Sequence, residues 1–236
     1  MAKNKEKEKV GAKKQRKITV KANKKGRHIM PMMNVLRVLI IPIYFLVKPF
    51  KFYGKRKVQD GACIYICNHY SLFDPVYAAC TTWEGIHFIA KREAFSIPIV
   101  SRILRRIKAI SVNRDGNDAR SLLDAFKCLK NGEKICVYPE GTRNKDNGEI
   151  QPFRHGAAVM AIKTKTPIVP LVITRRPKLF RRTHILIGKP FELSEYYDKK
   201  LTETELADID ESLRRLLIDM REKHMQMLSN KKKTKA

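Results

Sequence analysis

A chain of 236 residues holds one α/β-sized domain with a sizeable core and appendages, and is short for two complete domains. Its 50 Lys and Arg against 23 Asp and Glu leave a formal charge of +27, which excludes a preference for cationic partners and favours lipid headgroups, nucleic acid or a phosphorylated substrate. Five cysteines, an odd number without a CxxC pair, argue against a disulfide framework or a zinc site and point to reduced thiols in a cytosolic compartment.

Residues 1–28 read as a basic, disordered arm, with eleven Lys/Arg and two Glu between Met1 and Gly26. The arm is not a secretory signal, because the first apolar stretch begins only near Met30 and lacks a small-residue cleavage site. Residues 29–57 follow as an expected membrane-interfacial anchor. The uninterrupted apolar piece Val38–Val47 is well below the ~20 residues needed to cross a bilayer. Arg37, Lys48 and Lys51 flank it as headgroup contacts, Phe50, Phe52 and Tyr53 come after, and Pro42 and Pro49 are expected to break or kink a helix. A helix packed on its own domain is the alternative.

Residues 58–200 carry short apolar runs separated by helical stretches. "ACIYIC", "IHFIA", "IKAISV", "KICVY", "IVPLVI" and "HILIG" predict strands buried on both faces, and hence a sheet covered by helices. Helices are predicted over Pro75–Trp83, Ala94–Arg106, Asp118–Asn131 and Phe153–Lys163, with Asp74 and Asp118 as N-caps and Gly132 as a stop. Pro170 inside a strand-like run allows an edge, a bulge or a wall of the site, with plain core the favoured reading. Residues 201–230 predict an amphipathic helix that opens on the capping box Thr202-x-x-Glu205 and aligns Leu206, Ile209, Leu213, Leu216, Leu217 and Met220. Residues 231–236 form a basic tail. The order is that of an α/β fold.

Two stretches carry chemistry. In "CNHYSLFDP" a buried strand ends at Asn68-His69, and Asp74-Pro75 follows. Residues five apart stand about 140° apart on a helix, so His69 and Asp74 can meet only if the chain turns between them. A carboxylate accepting the imidazole Nδ1 proton leaves Nε2 free as a base, and strand carboxyl ends are where open α/β sheets place ligands. The nucleophile is then the substrate's own hydroxyl, Ser71 or a nearby cysteine; no GxSxG motif supports the serine. In "YPEGTR", Gly141 permits close backbone approach, Thr142 offers a hydroxyl, and Arg143 a planar fork suited to phosphate. Arg114, ending the stretch that starts at Lys91, is a further candidate for the same anion. The spacing is not that of a nucleotide P-loop. The basic residues gather in the tails and anchor without interleaved aromatics, so nucleic acid is the less favoured partner.

These blocks, in this order, resemble the glycerolipid acyltransferases, particularly bacterial lysophosphatidate acyltransferases: NHxxxxD at Asn68–Asp74, an arginine-ending block at Arg114, PEGTR at Pro139–Arg143, and a proline-containing block around Pro170. The resemblance covers roughly Val58–Lys189. It implies a glycerol-3-phosphate acyltransferase-like α/β fold and acyl transfer from acyl carrier protein or a coenzyme A thioester to the sn-2 hydroxyl of a lysophosphatidate at an anionic membrane surface. It implies no cofactor or metal beyond the donor, and a monotopic or peripheral enzyme on the cytosolic side of the cytoplasmic membrane. By position His69 is the base and Asp74 its orienter; Arg114, Glu140, Gly141, Thr142 and Arg143 hold the acceptor phosphate; Asn68, Lys91 and Pro170 support the site. Glycerol 3-phosphate or another lysolipid is an alternative acceptor, and a hydrolase using Ser71 an alternative reaction. Tyr138 stands where the family often has Phe, Asn113 where Asp is frequent, and Ser101 near a usual glycine.

Overall fold

The computed structural model describes residues 31–56, 60–113, 118–144 and 149–233. Seven strands form one sheet: β1 (Phe50–Tyr53), β2 (Cys63–Cys67), β3 (Ile86–Lys91), β4 (Ile110–Val112), β5 (Lys134–Val137), β6 (Ile168–Ile173) and β7 (Thr183–Ile187). Their order is β1-β7-β6-β2-β5-β3-β4, parallel except for the antiparallel β6–β7 pair. The helices are α1 (Pro31–Val47), α2 (Asp74–Ala79), α3 (Pro98–Arg106), α4 (Ala119–Lys130), α5 (Gly156–Thr164) and α6 (Glu203–Lys233).

Strand alternation feeds two cores. From β2, Ile64 and Ile66 face one cluster while Cys63, Tyr65 and Cys67 face the other, and all five are buried. The first cluster is closed by Ala125 and Leu129 of α4, Met160 and Ile162 of α5, and Ile209, Leu213 and Leu217 of α6. The second is closed by Met33 and Tyr44 of α1 and by Tyr77 and Ala78 of α2. The predicted sheet covered by helices is therefore present, with β2 at its centre. Chain connections leave β2 in one direction toward β3 and return across it from β5 to β6, so its carboxyl end is a switch point where a crevice opens.

Local expectations were met where the signal was local. Asp118 caps α4 by accepting the Ser121 N–H at 3.1 Å. The capping box opens α6, with Thr202 N–H donating to Glu205 Oε2 at 2.8 Å and Glu205 N–H to Thr202 Oγ1 at 3.2 Å. The predicted helix Ala94–Arg106 is instead a 3₁₀ turn, Arg92–Ser96, followed by α3, because Ile97 precedes Pro98 and takes an extended conformation with ψ 116°. The last helix continues past residue 230 to Lys233.

The segment read as anchor differs most. Helix α1 runs through Pro42 without a break, and Phe50–Tyr53 is the sheet's edge strand, parallel to β7. Arg37 is buried, not at a headgroup: it donates to the carbonyls of Ala79, Trp83 and Glu84 at 2.9, 2.9 and 2.8 Å. One guanidinium thereby satisfies the last carbonyl of α2 and two carbonyls of the loop into β3, and ties α1 to the domain. Pro170 lies in β6, an interior strand, which overturns an edge position. The Pro170 carbonyl accepts Gly188 N–H at 2.8 Å, so its nitrogen also faces the β7 side, between the Leu171–Ile187 pair and the Ile168–Phe191 bridge. No donor is missing from the β2 ladder. The arm at 1–28 and the end of the basic tail lie outside the described residues.

Candidate active site

Three strand carboxyl ends meet at the switch point: β2 delivers Asn68-His69, β5 delivers Tyr138 to Arg143, and β6 ends at Ile173. Asn68 is buried and works as an extra rung of the sheet. Its Nδ2 donates to Ile173 O at 3.0 Å, and its Oδ1 accepts Ile173 N–H at 2.8 Å. Both main-chain groups of His69 are then tied to the next strand end: its N–H donates to Glu140 Oε1 at 2.6 Å, and its carbonyl accepts Asn144 N–H at 2.7 Å. The imidazole stacks on Tyr138 with centroids 4.2 Å apart.

His69 Nδ1 stands 2.9 Å from Asp74 Oδ2, and the turn predicted between them is closed by Asp74 itself. The same oxygen accepts Tyr70 N–H at 2.6 Å and Ser71 N–H at 2.7 Å. Asp74 is fully buried and is the first residue of α2, not its cap; Phe73 holds the cap position and no side chain caps the helix. The expectation that Asp74 caps α2 is therefore corrected: Oδ1 has no hydrogen-bond partner among the described residues, and Oδ2 serves the loop and the ring together. A carboxylate opposite Nδ1 selects the Nδ1–H tautomer. Nε2 then carries the lone pair on a ring that is 14% exposed.

Alternative nucleophiles are poorly placed. Ser71 Oγ accepts Phe73 N–H at 3.3 Å and makes no hydrogen bond to His69. Burial, then nearby negative groups, pushes the Cys67 thiol well up, and burial pushes Cys136 up to about 12, so both are held as thiols. Burial likewise raises Glu140, against the pull of the N–H groups of Gln151 and His69. Glu140 is buried, with Oε2 accepting Gln151 N–H at 2.9 Å, so this carboxylate braces the His69 loop from behind.

Of the remaining predicted residues, Gly141 adopts φ +68°, and Thr142 and Arg143 are exposed on the same turn. Lys91 ends β3 two strands away from β2 and pairs with Glu93 at 2.9 Å. Pro170 is buried in β6 below the site, paired in register with Ile66. Arg114 lies outside the described residues. Sequence reasoning missed Tyr138 as a platform and Asn144 and Gln151 as braces; their signal was only adjacency to the PEGTR block. Among the described residues, His87, Cys128 and Glu133 form a group with three possible metal ligands within 4.8 Å. His87 Nε2 already closes on Glu133 Oε2 at 2.9 Å and Nδ1 on the Lys108 carbonyl at 2.9 Å.

Comparisons with known proteins bear on the family. Among curated relatives, 125 residues are 34% identical to the chloroplastic 1-acyl-sn-glycerol-3-phosphate acyltransferase BAT2 of Brassica napus, over 51% of this chain and 35% of the relative. A 1-acyl-sn-glycerol-3-phosphate acyltransferase of Helicobacter pylori is 29% identical over 73% of this chain and 81% of its own. The chain thus spans about a third of the chloroplast relatives it matches and most of the bacterial one. The crystal structure of the 1-acyl-sn-glycerophosphate acyltransferase PlsC from Thermotoga maritima superposes with a TM-score of 0.62 at 25% identity, covering 80% of this chain and 79% of that one. Residues 49–174, more than half of the chain, match the sequence model of the family described as Acyltransferase, and the chain belongs to that acyltransferase family.

Proposed function

We propose that the chain transfers a fatty acyl group from a thioester, on acyl carrier protein or coenzyme A, to the sn-2 hydroxyl of lysophosphatidate, giving phosphatidic acid. The observation that carries this reading is the His69–Asp74 pair at 2.9 Å, a base and its orienter with no nucleophile bonded to the base among the described residues. The missing hydroxyl is the acceptor's. Nε2 takes its proton as the oxygen attacks the thioester carbonyl, the Asp74 carboxylate offsets the imidazolium charge, and the proton passes to the departing thiolate when the C–S bond breaks. The reaction so written uses no cofactor beyond the donor. Arg143 and Thr142, exposed on the turn beside the base, together with Arg114, supply charge and donors for the acceptor phosphate, while Glu140 and Gly141 shape that turn. Asn68 and Pro170 support the β2–β6 floor, and Lys91 adds a cation at the β3 end. The relatives named as 1-acyl-sn-glycerol-3-phosphate acyltransferases support this acceptor over glycerol 3-phosphate.

Surface chemistry fits an acceptor that resides in a lipid layer. Among the described residues no helix is long and apolar enough to cross a membrane. The outward face of α1 nevertheless exposes Val38, Leu39, Ile43 and Leu46, and the base-bearing loop exposes Leu72 and Phe73. The two patches join where the Phe73 and Tyr44 rings lie 5.6 Å apart and Lys48 Nζ sits over the Phe73 ring. These patches support a monotopic or peripheral attachment at the cytosolic side of the cytoplasmic membrane, with the site at the interface. The deciding assay incubates purified full-length protein with lysophosphatidate vesicles and either acyl-coenzyme A or acyl carrier protein, follows thiol release, and identifies the lipid. Phosphatidic acid is expected; free fatty acid without it would replace this reading with the Ser71 hydrolase.

A further inference from the structure

Gly141 is expected from sequence to let a ligand approach the backbone, yet in the fold its open side is already occupied. A Cβ at residue 141 would stand 2.7 Å from Arg154 Nε, 2.9 Å from its Cδ and 3.4 Å from its Cζ. The glycine makes room for an arginine from the returning segment. That segment is held firmly: Arg154 N–H donates to Pro139 O at 2.9 Å, and Gln151 N–H to Glu140 Oε2 at 2.9 Å. From the other side, α6 grips it through Asp210 on His155 Nδ1 at 2.7 Å and Arg214 Nε on Ile150 O at 2.7 Å. So much local order serves a side chain that is exposed and, among the described residues, has no hydrogen bond or ion pair. Arg143 extends from the same turn, likewise exposed. Two cations gathered at one turn, without a carboxylate partner among the described residues, form a receptor for an anion.

We propose that Arg154, seated across Gly141, is a second arginine binding the phosphate of the acceptor. This rests on the reading of lysophosphatidate as that acceptor. In such a molecule one methylene and one ester oxygen separate the phosphorus from the carbon bearing the reacting hydroxyl, so the phosphate must be held close to the base. The turn over which Arg154 packs meets that requirement, because Glu140, next to Gly141, holds the main chain of His69. Helix α6 acts as the positioning element.

Arg154→Ala and Arg154→Lys, checked for native circular dichroism and thermal unfolding, are assayed as full-length protein on lysophosphatidate and on monoacylglycerol, which lacks the phosphate. Arg154→Ala should raise KM for lysophosphatidate by roughly 10–100-fold, the worth of one charge-assisted hydrogen bond. KM for the acyl donor should stay within about twofold, Arg154→Lys should fall between, and the slow rate on monoacylglycerol should not change. An unchanged KM, a rise confined to the donor, or an equal loss on monoacylglycerol overturns the assignment. Should wild-type protein acylate no lysophosphatidate, the functional reading fails on its own. Calorimetric binding of glycerol 3-phosphate then decides Arg154 separately: binding that Arg154→Ala loses supports it, and equal or absent binding in both proteins overturns it.

Discussion

Replacing Asp74 with asparagine isolates the charge on which the base depends. The amide oxygen can still accept the N–H groups of Tyr70 and Ser71, now bonded at 2.6 and 2.7 Å, so the loop keeps its shape and stability falls by only about 1 kcal/mol. The imidazolium that forms as His69 takes the acceptor's proton loses its counter-ion at 2.9 Å. Coulomb attraction at that separation is about 6 kcal/mol at an effective dielectric of about 20, and about 3 kcal/mol at 40 for a ring partly open to solvent. At about 1.4 kcal/mol per tenfold, kcat should drop roughly 10²–10⁴-fold with KM for both substrates little altered. The assay is initial thiol release under saturating lysophosphatidate, with thermal unfolding as the control. A variant within about threefold of wild type would show that Asp74 serves only to close the loop.

Asn68→Ala strips both partners from Ile173 N–H and C=O, and should cost roughly 2–3 kcal/mol, seen as a Tm lower by about 4–12 °C in calorimetry. His184 and His224, 3.0 Å apart across β7 and α6, both have pKa values lowered first by burial, His184 also by His224, Arg175, Arg182 and Lys51, and His224 by Lys231. Folding therefore releases protons: stability is full above pH 6.5, the ordinary value, and is lost as pH falls through the lowered values. His224→Gln should flatten that acid loss in Tm measured from pH 7.5 to 5, and an unchanged slope would move its origin elsewhere. Leu39→Glu with Leu46→Glu, both on the exposed face of α1, should reduce co-sedimentation with anionic vesicles at least about tenfold while leaving the fold intact. Undiminished sedimentation would shift membrane attachment to another surface.

By itself the amino-acid sequence determined whatever depends on neighbours a few residues apart. Five-residue apolar runs such as Cys63–Cys67 determine strands buried on both faces, Thr202-x-x-Glu205 starts α6, and the His69 to Asp74 spacing with Pro75 demands a turn. Tertiary structure decided which atoms do the work, because those contacts join positions whose separation leaves no period to read. Arg37 reaches the end of α2 across 42 residues, His69 reaches Glu140 across 71, and Asn68 reaches Ile173 across 105. An arginine expected among headgroups thus became an internal tie, and a glutamate expected beside phosphate sits behind the base. Pro170 fits an interior strand because its missing N–H faces the β7 side, past the last β6–β7 pair, and leaves the β2 ladder whole. The glycine expected to admit a ligand is filled by Arg154, a contact set by the return of the chain over its own turn.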